Sequence, residues 1–336
     1  MTLELEDLKP RAEHTRFTPV LVVGHGRSGT TIVVTLLRRY LGIAFGTESQ
    51  FIVRYLDRLP SYGDLASDAN LSRLIHDIAR ERFFMRTEAS FGFDLDRPAV
   101  LGTVRAAAPS SNQEIFVTLV DAMFRQLAHY FGFERWGDKT PEYSLHMPVL
   151  LELFPRAQFI HVLRDGRDVT LSTFHTHFGA KNMVMGAEEW QTSVTAVRAA
   201  AGHLPPDQYC ELKYEELLED PATVFEGLVG FLGIADEDGH LRTFIREHIH
   251  RDLKAGNALR WKLTLSERDN ERFERVAGIT LRDCGYEVRT PVLVPLGRVQ
   301  RKFWSFDNML RRMAKLGYWQ DNWYKLGLRV KALAGR

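Results

Sequence analysis

A chain of 336 residues that is 45% hydrophobic can bury a large core, as one big α/β domain or as two smaller ones. Its formal charge of +1 argues against nucleic acid as the main partner. Cys210 and Cys284 form no metal or disulfide pattern and fit a reducing cytoplasm. The charged residues 1–16 lack the apolar core of a signal peptide, and no apolar run approaches membrane-spanning length.

The first element is a short apolar run, Val20–Val23, which reads as a buried parallel strand. It breaks into Gly24-His25-Gly26-Arg27-Ser28-Gly29-Thr30-Thr31 and then becomes a helical pattern over Thr30–Leu41. A strand, a Gly-rich turn and a helix start together make an anion site, because backbone N–H groups converge where the helix dipole is positive. Gly24 and Gly29 keep P-loop spacing and Thr31 stands at the Mg²⁺-ligating hydroxyl, but Thr30 replaces the lysine and the charge moves to Arg27. That suits a short 5′ group with two adjacent anionic centres better than a long polyphosphate with Mg²⁺. The plainer alternative is an ordinary strand–turn–helix with glycines for tight packing.

Ile43–Phe45 reads as a second strand. The helix before it runs away from the loop for roughly 18 Å, and the strand returns by roughly 20 Å. A right-handed crossover would set this strand beside the first, with Glu48 level with the loop as a candidate general base. The alternative is an acid near the N-cap of a turn after Ser49. Helical patterns follow at 65–86 and 112–131, and residues 97–111, rich in Ala, Pro and Ser, read as a loop bordering a pocket. Together with the helices before them they suggest an insertion or lid.

Gln158–Leu163 is a clear strand, followed by a helix over 166–175. A strand at 208–213 and helices at 221–232 and 266–284 complete the pattern. Strands alternating with helices imply a P-loop-like, three-layer α/β fold with a central parallel sheet flanked by helices. The organisation read here is an extension at 1–18, a main domain at 19–290 and a basic helical tail at 291–336. From Gly297 onward the chain has ten basic and two acidic residues, a net +8, interspersed with Phe303, Trp304, Phe306, Trp319, Trp323 and Tyr324. This tail fits packing on the domain or a partner subunit, and equally an anionic membrane surface.

The second strand end delivers Arg164, and Ser172 follows about two turns into the next helix. Two anion elements at the ends of neighbouring parallel strands point to a nucleotide with two separate phosphate groups. A salt bridge from Arg164 to Asp165 or Asp168 is the alternative. The pairs His175/His177 and His248/His250 have the wrong spacing for a helical metal site, and no metal is assigned.

With these motifs the chain resembles the sulfotransferases that use 3′-phosphoadenosine 5′-phosphosulfate (PAPS). The resemblance implies that Gly26, Arg27, Ser28, Gly29, Thr30 and Thr31 hold the 5′-phosphosulfate, and that Arg164 and Ser172 hold the 3′-phosphate. Trp136-Gly-Asp-Lys139-Thr-Pro141 is similar to the lysine-bearing segment of bacterial and tyrosylprotein members, which implies a catalytic Lys139. Lys213-Tyr214-Glu-Glu-Leu217 resembles the element whose tyrosine lies by the adenine, and Lys262 is a further candidate for a nucleotide phosphate. The likeness spans about residues 19–290.

Two features depart from the cytosolic members, which carry a tryptophan where Ile32 stands and a histidine base where Thr140-Pro141 follows Lys139. In the tyrosylprotein branch a catalytic glutamate follows the loop arginine at the 21-residue step that separates Arg27 from Glu48. Glu142 and His146 are next in line as bases. The implied reaction is in-line transfer of sulfuryl from PAPS, with no metal, to a hydroxyl of a saccharide, glycolipid or lipid-like alcohol. Arg27 would hold the group in flight and Lys139 would neutralise the bridging oxygen. An ATP-dependent P-loop kinase and a nucleotide-regulated membrane-binding module are the competing readings. A homo-oligomer and peripheral contact with an anionic membrane through 297–336 stay open as partnerships of a cytoplasmic protein.

Overall fold

The strand β1 (Val20–Val23) is buried along its whole length because both of its faces are covered. Leu21 and Val23 enter one hydrophobic core, and Val20 and Val22 enter another on the opposite side of the sheet. The computed structural model describes residues 18–253, 256–291 and 294–314, so Trp319, Trp323 and Tyr324 lie outside the described residues.

After β1 come α1 (Thr30–Leu41), β2 (Ile43–Phe45), α2 (Phe51–Leu56), α3 (Asp68–Ala79), α4 (Arg82–Phe91), α5 (Arg97–Ala107) and α6 (Asn112–Tyr130). The middle of the chain forms β3 (Arg135–Lys139), α7 (Met147–Leu153), β4 (Gln158–Leu163), α8 (Gly166–Thr173), α9 (Met183–Ala201) and β5 (Tyr209–Lys213). Six helices follow: α10 (Tyr214–Glu219), α11 (Pro221–Phe231), α12 (His240–His248), α13 (Trp261–Thr264), α14 (Glu267–Asp283) and α15 (Arg298–Met313). The five strands form one sheet in the order β2-β3-β1-β4-β5, with every neighbouring pair parallel. Residues of α1, α11 and α12 share a core with one face, and residues of α2 to α7 share a core with the other. This is the three-layer arrangement expected from the alternation of strands and helices.

Three expectations need correction. First, β2 does not lie beside β1, because β3 is inserted between them. β3 reads poorly as a strand because its sequence is Arg-Trp-Gly-Asp-Lys, yet four of its five residues are buried. Distant partners take several of its polar groups: Trp136 Nε1 donates to Asp121 at 2.9 Å, and Arg135 donates to the Leu232 carbonyl and to Gln158. Gly137 is required here, since a Cβ would strike the Phe45 ring of β2 and the Val20 carbonyl of β1.

Second, residues 97–107 form a helix rather than a loop. Asp96 caps it by accepting from Ala99 N, Pro98 sits harmlessly in the first turn, and Val100 and Val104 bury one face. Only 108–111 remain as a link before Ser111 caps α6. Third, the single helical pattern at 65–86 is two helices, α3 and α4, broken at Arg80–Glu81.

Candidate active site

The candidate residues converge where the strands β1, β3 and β4 end. In register, Val22 of β1 faces Lys139 of β3, and Val23 faces His161 of β4. The loop after β1, the Lys139 side chain and Arg164 therefore leave the sheet at one edge, as expected for a ligand site in an open parallel sheet.

The loop turns under tight constraint. Gly24 has φ +144°, and a Cβ there would lie 2.5 Å from the Val162 carbonyl oxygen. Gly29 has φ +96°, and a Cβ would collide with the Tyr214 ring. Arg27 adopts φ +75°, a conformation that costs a non-glycine residue about 1–3 kcal/mol. α1 begins with no side-chain cap and no acidic residue in its first turn, so its leading N–H groups at Thr30 and Thr31 face an open end. Ser28 and Thr30 are buried in this turn, while Arg27 and Thr31 are exposed. Burial holds the His25 imidazole below its usual pKa, and its Nδ1 lies 2.8 Å from the Gly26 carbonyl.

The second element is bonded to the first. Arg27 Nε donates to Ser172 Oγ at 3.0 Å, and Arg164 Nη1 donates to the Arg27 carbonyl at 3.2 Å. Arg164 is buried, its guanidinium stacks 4.6 Å above the Tyr214 ring, and its Nη2 donates to the Asn257 carbonyl. Its pairing with Asp168 is loose, at 3.7 Å, and Asp165 goes instead to Arg167 at 2.7 Å. Arg164 Nε is buried with no hydrogen-bond partner among the described residues. The start of α8 is different from that of α1: Asp165 caps it through Arg167 N. The second anion element thus rests on side chains rather than on a helix terminus.

Glu48 and Lys139 meet directly. Lys139 Nζ donates to Glu48 Oε1 at 2.6 Å, with the lysine side chain 12% and the glutamate 36% exposed. β3 places Lys139 between the loop and Glu48, a position that the expected β1–β2 pairing could not provide.

A network that sequence reading missed lies behind this pair. Ser49 Oγ donates to Asp138 Oδ2 at 2.8 Å and lies 2.9 Å from the Tyr143 hydroxyl. Thr140 Oγ1 bonds both Asp138 and the Ser49 amide. Burial pushes the Asp138 carboxyl up to about 6, against the hydrogen bonds from Ser49 and Thr140. Gln50, in the left-handed region at φ +51°, bends the chain just after this cluster.

Lys262 is not brought in: its amine pairs with Glu287 at 2.8 Å on the surface. Asn257 is also in the cluster, its side chain donating to the Tyr214 hydroxyl at 3.1 Å, and no local pattern marked it.

A family model described as "Sulfotransferase family" matches residues 19–238, and the stretch contains the loop, Glu48, Lys139, Arg164, Ser172 and Tyr214. The chain belongs to the sulfotransferase family. It is 31% identical over 167 residues to the omega-hydroxy-beta-dihydromenaquinone-9 sulfotransferase Stf3 of Mycobacterium tuberculosis, covering 46% of this chain and 42% of that protein. An uncharacterized protein of Aquifex aeolicus is 24% identical over 250 residues, 70% of this chain and 28% of its own length. The chain therefore spans less than half the length of these curated relatives. Among solved structures, the sulfotransferase domain of the Synechococcus PCC 7002 olefin synthase is 20% identical and aligns over 83% of this chain and 98% of that one, with a TM-score of 0.49.

Proposed function

We propose that this protein is an enzyme that transfers a sulfuryl group from PAPS to a hydroxyl of an apolar acceptor. The observation that carries the reading is the bonding of two anion elements on adjacent strands, Arg27 to Ser172 and Arg164 to the Arg27 carbonyl. A ligand with anions at both ends fits this arrangement, and the unpartnered Arg164 Nε is the donor a 3′-phosphate would take. The loop N–H groups and Arg27 would face the 5′ end. Tyr214, wedged between Gly29 and Arg164, would brace both ends and border the base.

In the reaction the acceptor oxygen forms a bond to sulfur while the sulfur–oxygen bond to the 5′-phosphate breaks. The hydroxyl proton goes to the Glu48 carboxylate, and the departing phosphate oxygen keeps the electron pair, neutralised by Lys139. Glu48 and Lys139 pair with each other across the site, and each would exchange that partner for one end of the reacting centre. The fixed geometry of both residues supplies the positioning that such in-line transfers depend on.

The acceptor class rests on the mycobacterial relative, which is named for an omega-hydroxy-beta-dihydromenaquinone-9, and on the aromatic, basic segment after Gly297. No helix among the described residues is long and apolar enough to cross a membrane. Isothermal titration with 3′-phosphoadenosine 5′-phosphate (PAP) and with Mg²⁺–ATP tests the reading. We expect tight binding of PAP without added Mg²⁺, and a preference for Mg²⁺–ATP would replace the sulfotransferase reading with the kinase one.

A further inference from the structure

Helix α15 meets the domain through Trp304, Asp307 and Asn308. Asn308 is buried and accepts from Lys181 N at 2.6 Å. Asn182 donates to the Trp304 carbonyl at 2.8 Å and to Asp307 at 2.9 Å. Arg272 lies 4.6 Å over the Trp304 ring, and Arg301 reaches Glu188 at 3.4 Å. On the other side, Val299, Phe303, Phe306 and Leu310 recur at helical spacing and face solvent, Val299 81% and Phe303 61% exposed. An amphipathic helix on a domain ordinarily does the reverse. A continuous exposed apolar stripe of this kind marks a surface that something else covers.

We propose that this stripe seats the protein on an anionic lipid bilayer. Exposed Lys302 and Arg298 border the stripe, and the segment from Gly297 onward carries a net +8. That combination of apolar face and basic rim matches a negatively charged membrane surface. A second copy is the poorer occupant, because a two-fold contact would set the basic rims of both helices against each other.

The position of the helix ties the surface to the site. Lys181, whose amide holds Asn308, also donates through Nζ to the carbonyls of Phe178 and Thr173. The Phe178 ring is in turn the nearest neighbour that a side chain on Gly26 would meet, at 3.9 Å. One segment therefore both anchors α15 and walls the loop, so a helix lying on a bilayer holds the site mouth where an apolar hydroxyl acceptor resides. This last link rests on the proposed acceptor class, whereas the surface itself does not.

The test is sedimentation of the full chain with phosphatidylcholine vesicles prepared with and without phosphatidylglycerol. We expect binding to the anionic vesicles only, weakening as salt rises. Phe303→Asp with Leu310→Asp places charges on outward-facing positions, so melting temperature and PAP affinity should hold while vesicle affinity falls at least about tenfold. Equal vesicle binding by that variant, or none by the wild type, overturns the proposal. Light scattering that finds a wild-type dimer dissociated by the variant, with no vesicle binding, assigns the face to a second copy. A lowered melting temperature in the variant, again with no vesicle binding, assigns it to this chain's own residues 315–336. Failure of PAP binding alone would sink the transferase reading and leave the membrane surface standing.

Discussion

At the β1–β4 end of the site Arg164 is buried and already engaged with Arg27, Asn257 and Asp168, whereas at the β2–β3 end Glu48 and Lys139 meet in a half-buried pair. In the first region Arg164 has its terminal nitrogens engaged, while its Nε has no hydrogen-bond partner among the described residues. The second has a bonded cluster of Ser49, Asp138, Thr140 and Tyr143 next to it in the chain, and its Glu48 and Lys139 side chains bond to each other. On the proposed function, the difference would separate recognition from chemistry. A prebuilt anion cradle lowers the ordering cost of binding, and a pair steadied from the rear can exchange partners without losing its position.

The largest effect should come from the chemical end. Glu48→Gln should reduce turnover about 10²–10⁴-fold and leave PAP affinity unchanged. Steady-state rates and titration on the same preparation check both halves, and near-normal turnover would move the base away from Glu48. At the recognition end, Arg164→Ala should weaken PAP binding by about 2–5 kcal/mol and spare adenosine 5′-phosphosulfate, which has no 3′ group. Because Asp168 is buried beside it, Arg164→Lys serves as a control that keeps the cation, and its loss should be smaller. Equal weakening of both ligands in the alanine variant would erase the distinction between the two ends.

The smallest effect sharpens the idea of support from behind. Burial raises Asp138 to about 6, above its ordinary 3.8, so the folded chain holds a proton that the unfolded chain releases. The corresponding stability is fully present below about pH 4 and is lost as pH rises through 6, about 3 kcal/mol in all. Asp138→Asn removes that dependence. The melting temperature of the wild type should therefore fall relative to the variant between pH 4 and 7, and parallel profiles would show that the carboxyl does not titrate there. If Asp138 positions Glu48 through Ser49, the variant should also lose up to about 10²-fold in turnover at unchanged PAP affinity.

Most of this was legible in the sequence where local rules dominate. The β1 loop and the β4 end follow from strand and helix lengths and from glycine placement, whereas the return path expected for Glu48 missed the strand β3 that lies between β2 and β1. β3 was not legible, because Arg135 and Asp138 are buried by partners far along the chain and so carry no apolar pattern. α5 was hidden by Pro98, which stands where a proline is tolerated. The bonding of Ser49 to Thr140 and Tyr143 is a tertiary fact, although Thr140 and Tyr143 sit within four residues of the lysine that drew notice.

Arg27 sits at the centre of the nucleotide end: its side chain holds Ser172, and its carbonyl takes Arg164. For the bisphosphate ligand proposed above, the second grip then forms at an effective concentration set by the length of the ligand rather than by its amount in solution. Nucleoside monophosphates, with one anionic end, gain nothing from that tether. On the proposed function, a single strained residue, Arg27 at φ +75°, would in this way act as a filter against commoner nucleotides that present only half the match.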